Sequence, residues 1–290
     1  MEIHILLFYK FVELLETEKL KNEHLDFCKS IGIKGKVLLA KEGINGSISG
    51  TKEQVEAYKQ ALKSDSRFKD IEFKEETSLH HPFEKMVVRI KNEIIRLDKE
   101  VDISKTGKHI SPKEFLEVYE KNKEIIILDT RNDYESKAGK FKNAVTPAIE
   151  SFREFPDFVK KLNVSKDKPI IMYCTGGIRC EKASAYMIQE GFTNVSQLHG
   201  GIINFCQQFP DTAWEGTCFV FDKRLTSRIN QANSNTFCEH CKTPCELYDN
   251  CKNKSCNQLI FICPDCEKEF HSCCSKECMK ILLNKRIRDK

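Results

Sequence analysis

Ten of the chain's 15 cysteines fall between Cys238 and Cys278. This segment has too few large apolar side chains to be held by an ordinary core, so something must cross-link it. The cysteine count is odd, and several cysteines stand in Cys-x-x-Cys pairs. Lys10 and Glu13 follow Ile3–Phe8 too early for a secretory leader. Together these features argue against a secreted disulfide framework and for metal or thiol chemistry in a reducing compartment, so the expected location is cytoplasmic. No run of about 18 apolar residues exists, so no membrane span or membrane partner is expected.

Cys238-x-x-Cys241 and Cys263-x-x-Cys266 resemble zinc-knuckle pairs, with Cys245, Cys251, Cys256, Cys273, Cys274 and Cys278 around them and His240 and His271 nearby. Zinc takes four such ligands, and structural zinc would offset the thin core. All ten cysteines are candidate ligands for one or two sites; spacing leaves the pairing open, as it does a reduced segment with occasional disulfides. Residues 223–290 carry 13 basic and 8 acidic side chains, so the chain's net +4 originates in this tail. Lys252, Lys254, Lys280, Lys285, Arg286 and Arg288 could touch RNA or form a solvated face. Zinc thiolates would cancel much of the excess, so charge alone is a weak pointer to nucleic acid.

The remaining residues divide in two. Residues 1–100 read β-α-β-β-α-β, the order of a ferredoxin-like split β-α-β layer. Ile3–Phe8 and Lys36–Ala40 are strands, and residues 17–31 form a helix. A turn at Lys41–Gly46 precedes another strand, and Thr51 with Gln54 caps a second helix. Ile71–Phe73 and Met86–Ile90 are further β segments. The turn could be a plain Asn45-Gly46 hairpin or an RNA contact through Lys41. His80-His81 reads as loop. Residues 97–110 read as a polar linker. Ser111-Pro112-x-Glu114 starts a helix, and the apolar runs Ile125–Leu128 and Pro169–Tyr173 alternate with helical segments, as in a parallel sheet covered on both faces. The expected fold is therefore α/β: a ferredoxin-like (acylphosphatase-like) α+β domain at 1–100, a parallel-sheet domain at 108–222 and a cysteine-rich tail at 223–290.

The sharpest motif lies in the second unit: Cys174-Thr175-Gly176-Gly177-Ile178-Arg179-Cys180, between an apolar strand and a helix. Chemistry in α/β proteins collects at such carboxyl-edge junctions. Two glycines let backbone N–H groups turn inward as an anion nest, and the helix N-terminus adds to the field. A cysteine opening that loop is expected to be largely thiolate. Arg179 could brace the loop or contact an anion. Cys180 could resolve an oxidised Cys174 or simply be a small helix-start residue. Cys206 and Cys218 read as packing residues, and Trp214 as an anchor between domain and tail.

Residues 108–222 resemble the rhodanese domain. Asp129-Thr130-Arg131 with Tyr134-Glu135 is similar to its early signature, Cys174 to Arg179 to its active loop, and Gly200-Gly201 to its late signature. Four residues separate Cys174 from Arg179, one fewer than in the related cysteine phosphatases, and the shorter loop suits sulfur. Over the whole chain, Gly35–Gly46, Cys174–Ser184 and Trp214–Asp222 occur in the order found in bacterial rhodanese-related tRNA uridine hydroxylases. That resemblance implies oxygen-dependent 5-hydroxylation of the wobble uridine, with molecular oxygen as co-substrate and the tRNA anticodon loop as partner. The catalytic pair would be Cys174 and Arg179, within the loop Thr175, Gly176, Gly177, Ile178 and Cys180. A small-molecule sulfur donor or reductant could be a further partner; no flavin or NAD fingerprint is visible. Two alternatives share these features: a sulfurtransferase passing a cysteine persulfide to a thiol or RNA acceptor, and a non-catalytic RNA-binding protein.

Overall fold

A computed structural model describes residues 2–288 apart from 122–123, 211, 223, 225, 228–236 and 246. The sequence is polar from Asn230 to Asn235, and that stretch lies outside the described residues.

The N-terminal unit comprises β1 (Ile3–Phe11), α1 (Thr17–Ser30), β2 (Lys34–Ala40), β3 (Gly43–Gly50), α2 (Lys52–Ser64), β4 (Phe73–Ser78) and β5 (Met86–Ile90). The sheet order is β4-β1-β3-β2-β5. All neighbours are antiparallel except β2 and β5. The first four strands follow the ferredoxin-like order, and β5 adds a parallel edge. Alternation sends Leu6, Phe8, Val37, Leu39, Ile44 and Ile48 into a core shared with Val55, Tyr58 and Leu62 of α2. Ile5, Leu7 and Tyr9 therefore point to the opposite face. Thr51 and Gln54 close the expected capping box, with the Thr51 N–H donating to Gln54 Oε1 at 2.8 Å.

Two local expectations are corrected. The turn is confined to Lys41-Glu42, and Asn45-Gly46 lies within β3, paired to both β1 and β2. Gly43, with φ 145°, supplies the unusual backbone, while Gly46 lets the Phe8 ring approach, since a Cβ there would stand 2.5 Å from it. The late strand begins at Phe73, so Ile71 is a buried residue preceding it.

The second unit contains β6 (Lys108–Ile110), α3 (Pro112–Lys121), β7 (Ile126–Asp129), α4 (Asp133–Ala138), β8 (Gly139–Phe141), α5 (Phe155–Lys161), β9 (Ile170–Tyr173), α6 (Ile178–Gln189), β10 (Val195–Leu198), α7 (Gly201–Gln208) and β11 (Trp214–Gly216). Strands β6-β10-β9-β7 form a wholly parallel sheet, with an apolar core on each face. The end of the expected linker is thus an edge strand. Ser111 and Glu114 cap α3 reciprocally. Trp214 is buried in the second core against Phe141, and Cys218 of the segment that follows lies in the same core.

In the tail, β12 (Cys218–Phe219) pairs with β13 (Thr226–Ser227), and β14 (Tyr248–Asn250) pairs with β15 (Leu259–Phe261). Helices α8 (Pro264–Glu269) and α9 (Lys276–Arg288) follow. The β12–β13 ribbon spans the 222/223 boundary expected from sequence. Phe261 of β15 is buried with Ala138 of α4 and Phe219, which seats the tail on the second unit.

Candidate functional site

Cys174 stands at the carboxyl end of β9 and is fully buried. The loop turns back on it: the Gly177 N–H donates to Cys174 Sγ at 3.1 Å. Burial opposes the charged thiolate. The Cys180 thiol hydrogen bond, the Arg179 charge and the Arg179 and Gly177 N–H groups outweigh that cost and bring the Cys174 pKa down to about 5. Cys180 shifts the other way, because burial and the neighbouring Cys174 hold it as a thiol. Its sulfur also lies 3.6 Å from Thr130 Oγ1. Cys180 is therefore placed as a donor to the Cys174 sulfur, a role that spacing alone did not suggest.

Arg179 braces the loop. Its guanidinium forms a buried two-pronged pair with Glu135 of α4, at 2.5 and 2.8 Å, and lies 3.5 Å from Thr175 Oγ1. Glu135 in turn accepts the Asn132 N–H at 3.1 Å. Asp129 and Arg131 form a second, fully buried pair beneath the site. Thr130 Oγ1 donates to Tyr173 O at 3.0 Å. The early signature is thus scaffold, apart from Glu135. Gly200-Gly201 lead into α7 behind the loop, and the Ile202 N–H donates to Cys174 O. Cys206 and Cys218 are buried, and burial raises both thiols above their ordinary pKa; each packs in the second core.

The N-terminal sheet forms the roof of this site. A Cβ on Gly176 would stand 2.7 Å from Leu7 Cδ2, and one on Gly177 would stand 2.8 Å from the Tyr9 hydroxyl. Gly177, with φ 103°, is required by the loop's own curl, and a Cβ on either glycine would push aside the tip of a β1 side chain. Tyr9 OH donates to Glu181 Oε1 of α6 at 2.9 Å. Lys182, also on α6, is nearly fully buried and pairs with Glu42 at 2.8 Å and Glu93 at 2.5 Å. The Lys41-Glu42 turn is consequently a joint between domains, while Lys41 itself is exposed. Between roof and loop lies a cavity of about 820 Å³, whose lining includes Leu7, Tyr9, Lys74, Cys174, Thr175, Gly176, Ile178, Arg179, Phe221 and Arg224. That volume is in the range of small-molecule and cofactor sites. Sequence reasoning missed the roof, because nothing in a strand's own pattern says what covers its second face.

In the tail, eight of the ten cysteines gather into two sets of four: Cys238, Cys241, Cys263 and Cys266, then Cys251, Cys256, Cys274 and Cys278. Within each set all sulfurs lie within 4.8 Å of one another. Cys241–Cys263, Cys256–Cys274 and Cys274–Cys278 are each separated by 3.6 Å. A tetrahedron with metal–sulfur bonds of about 2.3 Å has edges of about 3.8 Å, so both donor sets have the size and chemistry of a tetrathiolate site. Cys245 and Cys273 lie outside both sets; their thiols approach Leu247 O and His271 O. His240 stacks on Phe270 and its Nε2 lies 2.9 Å from Cys273 O. Lys252, Lys254 and Lys280 are exposed, and Lys252 pairs with Asp249 at 2.8 Å. The side chains of Lys285, Arg286 and Arg288 lie outside the described residues. His81 Nδ1 lies 3.1 Å from Ser49 Oγ, a loop contact.

Three family models match in succession: a UPF0176 acylphosphatase like domain over residues 3–94, a Rhodanese-like domain over 111–208, and a Rhodanase C-terminal model over 215–279. A tRNA uridine(34) hydroxylase of Staphylococcus carnosus is 43% identical over 296 residues, spanning 99% of this chain and 93% of that protein. The protein of the same name from Bacillus cytotoxicus is 42% identical over 299 residues, spanning 98% and 90%. Among solved structures, a rhodanese-like domain from Anabaena sp. is 21% identical with a TM-score of 0.32, covering 37% of this chain and 78% of that one. Relatives matched from end to end, with the acylphosphatase-like and rhodanese units in the same chain, settle the lineage: the chain belongs to the tRNA uridine(34) hydroxylase family.

Proposed function

We propose that this chain hydroxylates carbon 5 of the wobble uridine of tRNA, with Cys174 as the nucleophile. The observation that carries this reading is a buried cysteine under a backbone N–H at the floor of a cavity roofed by a second domain, in a chain whose relatives bear that activity in their name. Carbon 5 of uracil is a weak nucleophile. Addition of the Cys174 sulfur to carbon 6 moves the ring's π pair toward the carbon 4 oxygen and makes carbon 5 enolate-like. Molecular oxygen is then taken up at carbon 5 as a hydroperoxide. Two thiols of a small-molecule reductant cleave it: one oxygen stays as hydroxyl, the other leaves as water, and the thiols become a disulfide. Loss of the carbon 5 proton expels Cys174 and restores the ring. The sum is uridine, oxygen and two thiols giving 5-hydroxyuridine, water and a disulfide.

An anticodon-loop base can leave its stack without duplex melting, so the cavity can receive it at low cost. Bacterial tRNA is cytoplasmic, which is the location this reading requires; among the described residues no helix is long and apolar enough to cross a membrane. A persulfide on Cys174 would use the same N–H cradle, and a sulfurtransferase is the competing reading. Nucleoside mass spectrometry of tRNA from a strain lacking this gene separates the two. Loss of 5-hydroxyuridine derivatives, restored by the gene, is expected. Unchanged levels, with no redundant pathway operating, would overturn the reading.

The two tetrathiolate sets fit structural zinc, and we assign one ion to each. Their ligand pairs alternate along the chain, so each ion ties together segments that the other straddles. Metal analysis of purified protein is expected to give two zinc ions per chain, and Cys256→Ser to leave one. Zinc-free protein with an intact tail would contradict the assignment.

A further inference from the structure

We propose that Lys74 is a catalytic residue supplied to the thiol site by the N-terminal domain, its ammonium holding the anionic carbon 4 oxygen that forms when Cys174 adds to the base. This rests on the carbon 6 addition described above. Lys74 lies on β4 directly opposite Leu7 of β1, so the two share the sheet face that roofs the loop. Leu7 is the side chain that touches Gly176. The Lys74 ammonium lies 4.9 Å from the centroid of the Tyr9 ring, whose hydroxyl sits against Gly177. Lys74 and Cys174 line the same cavity.

The other cations of the cavity are committed or solvated. Arg179 is held by Glu135, and Arg224 by Asp222 and Glu76; Lys36, Lys91 and Arg96 are exposed. Among the described residues no carboxylate stands within ion-pair distance of Lys74. Exposed Glu72, Cys174 and then Glu181 act on its charge through space only; Glu72 pairs with His199, and Glu181 already receives hydrogen bonds from Tyr9 and Gln197. Burial also pulls Lys74 below the ordinary lysine pKa, which makes it a readier proton donor.

The loop's N–H groups serve the sulfur. Once sulfur bonds to carbon 6, the charge moves to the far side of the base, beyond their reach. A donor from the roof is where that charge would be met, and one such interaction is worth about 10²–10³ in rate.

The test is exchange of the uridine carbon 5 hydrogen in D2O without oxygen, using the full chain and a tRNA anticodon stem-loop. This isolates addition from the oxygen and reductant steps. Wild type is expected to exchange the hydrogen. Lys74→Met should slow exchange at saturating RNA by about 100-fold or more, with KM within about twofold, and Lys74→Arg should recover part of the rate. Lys74→Gln replaces the methionine variant if that one does not fold. Full-rate exchange by the neutral variants overturns the inference alone. A raised KM with an unchanged saturated rate makes Lys74 a phosphate contact, and also overturns it. No exchange by wild type overturns carbon 6 addition and this inference together.

Discussion

Cys174→Ser is expected to lower single-turnover hydroxylation of tRNA by at least about a thousandfold, the scale seen when a nucleophile is removed from a unit of cooperating groups. Serine fills nearly the same volume, so the fully buried position should fold unchanged. What is lost is the ionised nucleophile. The Gly177 and Arg179 N–H groups, the Arg179 charge and the Cys180 thiol lower a thiol's pKa to about 5 against the cost of burial, but an alcohol starts far too high for the same help to ionise it at neutral pH. Affinity for tRNA should stay within a few-fold, because the cavity walls and surface lysines are untouched. Equal loss of binding and rate would indicate a disrupted pocket instead.

The second large effect is on stability. Glu135→Ala should cost about 3–5 kcal/mol, measured as a shift in denaturant midpoint, because it leaves the Arg179 guanidinium buried without its partner. The side chains of Glu135 and Arg179 are 0% and 6% exposed, so solvent screens little of the interaction. Arg179→Met in the Glu135→Ala background should recover part of the loss, since it removes the stranded charge. A single-variant cost below about 1 kcal/mol would mean that water reaches the guanidinium. The pair also links units: Glu135 sits on α4, against which Phe261 of the tail packs through Ala138.

Much of this arrangement was legible in the chain. The capping boxes at Thr51 and Ser111, the apolar strands and the thiol loop are local or periodic features, and their residue types carry their geometry. The ferredoxin-like order followed from strand and helix succession. The residues that escaped notice act across long sequence separations. Leu7, Tyr9 and Lys74 belong to a sheet face that looks merely half-polar until the second domain covers it. Glu135 looked like a signature residue, and only its 2.5 Å contact with Arg179 makes it the brace of the loop. Asn45-Gly46 misled because a good turn dipeptide lies in a central strand, where Gly46 accommodates Phe8 instead of a bend. In the tail, spacing implied tetrahedral ligands, but the alternating pairing depends on how β14, β15, α8 and α9 fold together.

The central claim is that Cys174 adds to the base. An anticodon stem-loop carrying 5-fluorouridine at the wobble position, incubated with wild type and Cys174→Ser protein, tests it most directly. With oxygen and the thiol reductant present, carbon 5 comes to carry fluorine and oxygen but no proton, so the elimination that expels Cys174 is blocked and the adduct should persist. Peptide mass spectrometry is predicted to find the wobble nucleotide, with its fluorine kept or lost as fluoride, bound to Cys174 in wild type and no adduct in the variant. An adduct on another residue, or none in protein that hydroxylates ordinary uridine, would contradict the account.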